Sequence, residues 1–201
     1  MSPKPSPRIR RVAAMTTAAA CALATFACAK ADTAADTSAA TTPPPAAAAA
    51  PAMNDAQIAH IAVTANAIDS AAGELAKQKG SSKEVKDFAQ TMITDHGAVN
   101  KEAVALATKL GVSPQDNDVS RSLTTGADAN TAALQGLSGA AFDKAYIDHE
   151  ATYHQAVLDA IDKTLVPSAQ NGELKALLEK VRPAIAAHLD HAKRIQASLS
   201  K

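Results

Sequence analysis

Ser81 to Leu110, SSKEVKDFAQTMITDHGAVNKEAVALATKL, decides the fold. Val85, Phe88, Met92, His96, Val99, Ala103, Leu106 and Leu110 recur at alternating steps of three and four. A helix turns by about 100° per residue, so these side chains share one inward face. The middle of that face is a histidine, which predicts a core that is not purely apolar. Ser81-Ser82-Lys83-Glu84 has the pattern of a capping box at the start of this helix, and Gly111 with Pro114 stops it.

Upstream, Ile58, Ile61, Ala65, Ile68, Ala72 and Leu75 mark a second helix, capped at Asn54 or Asp55 and running to about Lys79. Asp69 falls on the flank of its apolar stripe. Gly80 alone separates the two helices, so they form an antiparallel hairpin. Downstream, Val112 to Gly139 has broken patterning, with Leu123, Leu134 and Leu137 as its few apolar anchors. That stretch reads as a crossover with at most a short helix around Asn130 to Leu137. A third long helix covers Ala140 to Val166, with Phe142, Tyr146, Tyr153, Val157, Ile161 and Leu165 inside and Pro167 closing it. The fourth opens at Asn171 and carries Leu174, Leu177, Val181, Ile185, His188, Ala192, Ile195 and Leu199, with a bend expected near Glu179 from Pro183. Four long helices joined by a short turn, a long crossover and a short turn describe an all-α, ferritin-like four-helix bundle over residues 54–201.

The N-terminal quarter has a different composition. Lys4, Arg8, Arg10 and Arg11 precede an uncharged run from Val12 to Cys28, the pattern of a secretory signal over residues 1–28. The run is shorter than the roughly 20 apolar residues of a spanning helix. Ala27-Cys28-Ala29 suits an ordinary signal peptidase, and Cys28 at the end of the apolar run also suits a lipoprotein's acylated cysteine. Both readings stay open. Residues 29–53, rich in Ala, Thr and Pro, are expected to form a disordered linker. Cys21 lies inside the signal, so a mature chain with only Cys28 forms no internal disulfide. Removing the four basic residues ahead of Cys28 leaves 16 against 20 acidic residues, a net of −4, which argues against a nucleic-acid partner. Membrane contact would come through a lipid on Cys28. Protein partners and oligomeric state are not written in the sequence.

Facing the four stripes toward one another brings Asp69, His96, Glu150, His154 and His188 to the bundle interior. Buried groups of this kind cost roughly 1–3 kcal/mol each when unpaired, so they pair with one another or ligate a metal. Imidazole with carboxylate suits iron, copper, manganese or zinc. The di-iron arrangement of Glu and His at i, i+3 is missing, because Ile93 and Ile185 stand three residues before His96 and His188. His96 is expected to be structural, and Glu150 with His154, at i, i+4, is the expected metal pair. His60 and His191 sit on stripe edges.

Val85-Lys86-Asp87-Phe88-Ala89, Met92-Ile93-Thr94-Asp95-His96, Phe142-Asp143-Lys144-Ala145-Tyr146 with His154, and Pro183 with His188-Leu189 together resemble a bacterial ferritin-like family known as domain of unknown function 4142. The resemblance implies an exported ferritin-like bundle, often labelled an outer-membrane protein, with no assigned activity. That family usually carries Glu where this chain has Asp69. The leading expectation is a non-enzymatic cell-envelope protein, periplasmic or lipid-tethered, whose inner polar groups are structural or bind a metal. A metal-dependent oxidoreductase and a helical adaptor are the alternatives.

Overall fold

The computed structural model describes residues 53–201. The signal segment, Cys28 and nearly all of the linker lie outside the described residues. Five long helices make up most of the described chain: α1 (Asp55–Lys79), α2 (Lys83–Lys109), α3 (Asp118–Gln135), α4 (Gly139–Ala160) and, after a short α5, α6 (Gly172–Leu199). A π-helical turn (Ile161–Leu165) and the single turn α5 (Val166–Ser168) extend α4. Helix α1 packs along α2, and α4 packs along α6. The two hairpins then meet through α2 against α6 and α1 against α4. This neighbour pattern is an all-helical four-helix bundle, in agreement with the ferritin-like arrangement that the sequence predicts.

Local side-chain caps start α1 and α6. Asn54 accepts from the Gln57 amide at 2.9 Å and Gln57 answers the Asn54 amide at 3.1 Å, a reciprocal capping box. Asn171 caps α6 by accepting from the Glu173 and Leu174 amides. Helix α2 departs from expectation, because Ser82 makes no side-chain cap. The carboxylate of Asp143, brought in from α4, accepts from the Ser81 amide at 2.9 Å and the Ser82 amide at 2.8 Å instead. An anion at a helix N-terminus also complements the dipole, so this buried Asp fastens the second hairpin to the first.

The crossover corrects the sequence reading. Residues expected to be mostly irregular form one 18-residue helix, α3, which lies against α1 and α4. Asn117 and Ser120 cap it reciprocally, and buried Leu134 with half-buried Leu123 hold its inner side. Tertiary packing overrides the weak helix propensity of its Ser, Thr and Gly residues. One further boundary moves. Helix α4 does not end cleanly before Pro167: the Val166 amide bonds to the Ile161 carbonyl, one residue further than α-helical spacing, which makes the π turn. Helix α6 runs through the exposed Pro183 as one helix, as the sequence predicts.

The core runs the length of the bundle, with Phe88, Met92, Phe142, Tyr146, Ile147, Ala192 and Ile195 fully buried. On α1 the buried line in the second half is Asn66, Asp69, Gly73 and Ala76, not the expected Ala65, Ile68, Ala72 and Leu75, which are only half-buried. Gly73 explains the rotation. A Cβ there would lie 2.9 Å from the Ala89 carbonyl oxygen, so the missing side chain is what lets α1 and α2 approach so closely.

Candidate metal centre

All four bundle helices send one polar group or more to the same level of the core. Asp69 comes from α1, His96 from α2, Glu150 and His154 from α4, and His188 from α6. None is more than 6% exposed. The three imidazole rings form a near-equilateral triangle, with centroids 5.5 Å apart for His96 and His154, 5.2 Å for His96 and His188, and 5.5 Å for His154 and His188.

Hydrogen bonds assign the protons. The Asn66 amide nitrogen donates to the Ala62 carbonyl at 2.8 Å, which turns the Asn66 oxygen toward His96 Nδ1, also at 2.8 Å. Nδ1 of His96 must therefore donate, and Nε2 is the bare nitrogen. His154 Nδ1 lies 2.9 Å from the Glu150 carbonyl oxygen, which only accepts, so its Nε2 is bare as well. His188 Nε2 meets the Asp95 carboxylate at 2.9 Å, so in the neutral ring Nδ1 is the nitrogen free to bind. Those three bare nitrogens, His96 Nε2, His154 Nε2 and His188 Nδ1, are all buried without a hydrogen-bond partner. An outer carbonyl, amide or carboxylate fixing each ring is the usual support of a metal-bound histidine.

Asp69 completes the set. Its Oδ2 stands 3.2 Å from His96 Nε2 and 3.4 Å from His154 Nε2. Donors about 2.0–2.1 Å from one tetrahedral ion are about 3.3–3.4 Å apart, so these separations are those of neighbouring ligands. Donor atoms of His96, His154 and His188 lie within 4.8 Å of one another, as do those of Asp69, Glu150 and His154. The two groups share His154, which has one bare nitrogen to give. Glu150 faces the other nitrogen, its Oε2 3.5 Å from His154 Nδ1. The expected pair of Glu150 and His154 is thus in contact, but across the protonated side of the ring. His96, expected to be structural, stands among the converging donors.

Burial sets the protonation of the cluster. It lowers His96 from 6.5 to about 3, helped by His154 and His188, and lowers His154 to about 4. Both rings are neutral at physiological pH, the form that coordinates metal. Burial raises Asp69 from 3.8 to about 7, opposed by a hydrogen bond with Glu150, and pushes Glu150 well above the usual range, with the Asp69 charge adding to the effect. Burial thus favours a proton on this pair of neighbouring carboxyls, and a cation bound between them would displace it. The Tyr146 hydroxyl, buried without a partner, is pushed up by burial and by the same two carboxyls.

Asn66 and Asp95, which orient His96 and His188, were not among the residues expected from sequence. Asp95 is adjacent to His96 in the chain, and Asn66 precedes Asp69 by three, so each sat beside a named candidate. Their partners lie 93 and 30 residues away, and no local pattern reveals such pairings. His60 and His191 stay outside the cluster. His191 packs edge-on against Phe88 at 5.2 Å.

A model of the family described as a domain of unknown function, DUF4142, matches residues 40–195, and the chain belongs to that family. No curated protein and no solved structure matches it significantly.

Proposed function

We propose that this member of the DUF4142 family is an exported cell-envelope protein whose bundle binds one first-row transition-metal ion. His96, His154, His188 and Asp69 are its ligands, and Glu150 stands behind them as a proton-holding outer carboxyl. One observation carries the reading: three buried imidazoles, each fixed by an outer acceptor, hold unpartnered nitrogens close together in the core, and those of His96 and His154 stand 3.2 and 3.4 Å from the Asp69 carboxylate. A purely structural network would spend those nitrogens on hydrogen bonds, because leaving each unpaired costs about 1–3 kcal/mol. The donor set suits zinc, copper, iron or manganese, with imidazole favouring the first three. A redox-active ion would make the bundle a metal-dependent oxidoreductase, and an ion without redox chemistry would leave it a binding protein.

The shared proton of Asp69 and Glu150 favours one other reading. It lets the carboxyls satisfy each other with no ion present, as a network that sets helix register. Elemental analysis and melting curves of the mature protein separate the two. Added metal is expected to raise stability by about 2.7 kcal/mol at a hundredfold excess over Kd, and His154→Ala is expected to lose that gain. Affinity is expected to weaken with acid, because binding displaces the carboxyl proton. No bound metal after reconstitution and no upward shift with any of the four ions would leave only the network. In that case His96→Ala would still destabilise the fold by stranding Asn66 and Asp69.

A further inference from the structure

Beside the histidine cluster lies a cavity of about 120 Å³, bounded by α1, α2, α3, the end of α4 with its π turn, and α6. Its size follows from the sequence around it. Ala62, Ala65, Ala103, Ala156 and Ala160 stand where larger side chains would fill the space. The π turn gives the wall Ile161 and Leu165, and α3 supplies Leu123 and Val119, the latter 41% exposed. Helix α3 and the π turn are the two elements that depart from a plain four-helix bundle, and both line this cavity.

Only Asn66, His96 and Tyr153 bring polar side chains to its wall. Asn66 bonds the Ala62 carbonyl and His96, and the Tyr153 hydroxyl donates to the Ala65 carbonyl at 3.0 Å. The remaining His96 nitrogen faces Asp69. A water molecule needs about two to four polar partners to be held in a protein interior, and the side chains of this wall, almost all apolar and with their polar groups already engaged, offer few. The space is therefore suited to something other than water. A closed apolar cavity of about 150 Å³ accepts benzene, which sets the scale for a solute of about six to eight non-hydrogen atoms.

We infer that this cavity is a binding site for a compact apolar molecule, a small ring or short hydrocarbon, held against the His96 edge of the polar centre. The site is built by alanines, α3 and the π turn, so it stands whether or not a metal is bound next to it. Benzene is the probe, titrated into the mature protein while the methyl resonances are followed by NMR. Saturable 1:1 shifts confined to methyls of the cavity wall, Leu123, Val157, Ile161 and Leu165 among them, are expected, with none from benzoate, whose charge no wall group pairs. Ala160→Leu fills the space from α4 and is expected to abolish the benzene shifts while metal binding persists. Should that variant not fold, Ala65→Leu from the opposite wall decides. Absence of saturable shifts in the parent protein, equal binding of benzoate, or undiminished benzene binding in a folded filled variant would each overturn the site. Loss of metal binding alone would leave it standing.

Discussion

Asp69 and Glu150 titrate against His96 and His154 in opposite senses, and the balance between them sets how the metal-free protein responds to pH. Asp69 is raised from 3.8 to about 7, so between those values the folded state keeps a proton that the unfolded chain has lost. Stability therefore falls as pH rises through that window. His96 and His154, lowered from 6.5 to about 3 and about 4, refuse protons that the unfolded chain takes up, so they contribute a loss as pH falls below 6.5. The two effects oppose each other in the acid range. Above the unfolded histidine value only the carboxyls still differ between states, and Glu150, raised well above 4.5, extends the decline. The metal-free protein is expected to have a lower urea midpoint at about pH 8.5 than at about pH 7, and Glu150→Gln should flatten the slope. A midpoint that is level or rising over that interval in the parent protein would rule out the shared proton. The burial of these five side chains was legible from helical spacing, because all of them fall on or beside inward stripes. Their proton assignments were not, since these depend on Asn66, Asp95 and backbone carbonyls that the fold brings in from other turns and other helices.

Pattern and packing disagree most clearly along α1 and α3. Apolarity alone selects Ile68 and Leu75 as the inner line of α1, yet the helix turns Asp69 and Gly73 inward, because the polar centre needs the carboxylate and close approach to α2 needs the bare glycine. Gly73→Ala would press a Cβ to 2.9 Å from the Ala89 carbonyl oxygen and 3.0 Å from Ile93 Cγ1. Overpacking of that kind costs about 1–3 kcal/mol, which outweighs the roughly 1 kcal/mol that alanine gains over glycine in a helix. Gly97 on α2 is the control, since a Cβ there meets nothing within 4 Å. Gly97→Ala is expected to stabilise by up to about 1 kcal/mol, and Gly73→Ala to destabilise, in urea unfolding. Equal gains from both would mean that the helices are not packed through Gly73. Helix α3 escaped the sequence reading for a related reason. Its local signal is the Asn117 and Ser120 cap, and its remaining stability comes from α1 and α4, whose positions a single sequence does not reveal. The Asp143 cap on α2 was hidden in the same way, by about sixty residues of intervening chain.

At the scale of the whole molecule, the match to the family begins at residue 40, so the proposed address falls in the segment before it and the bundle in the segment it covers. Among the described residues no helix is long and apolar enough to cross a membrane. In the N-terminal segment Cys28 ends the uncharged run. Two cleavage chemistries give two different mature chains. An ordinary signal peptidase cutting after Ala29 would leave Lys30 at the N-terminus, whereas a lipoprotein route would leave Cys28 there with its lipid. Lipid chains supply about 0.8 kcal/mol per buried methylene, enough in combination to hold a domain with a net charge of −4 at a membrane surface. Expression of the full chain in a bacterial host is expected to yield a protein in the cell envelope that lacks residues 1–27 or 1–29, measured as intact mass. If Cys28 carries lipid, Cys28→Ser moves the protein from the membrane fraction to the soluble periplasm. If cleavage follows Ala29, parent and variant share one soluble fraction and one N-terminus. A chain that keeps Met1 and stays in the cytoplasm would remove the export reading altogether, and with it the envelope as the place of the proposed metal binding.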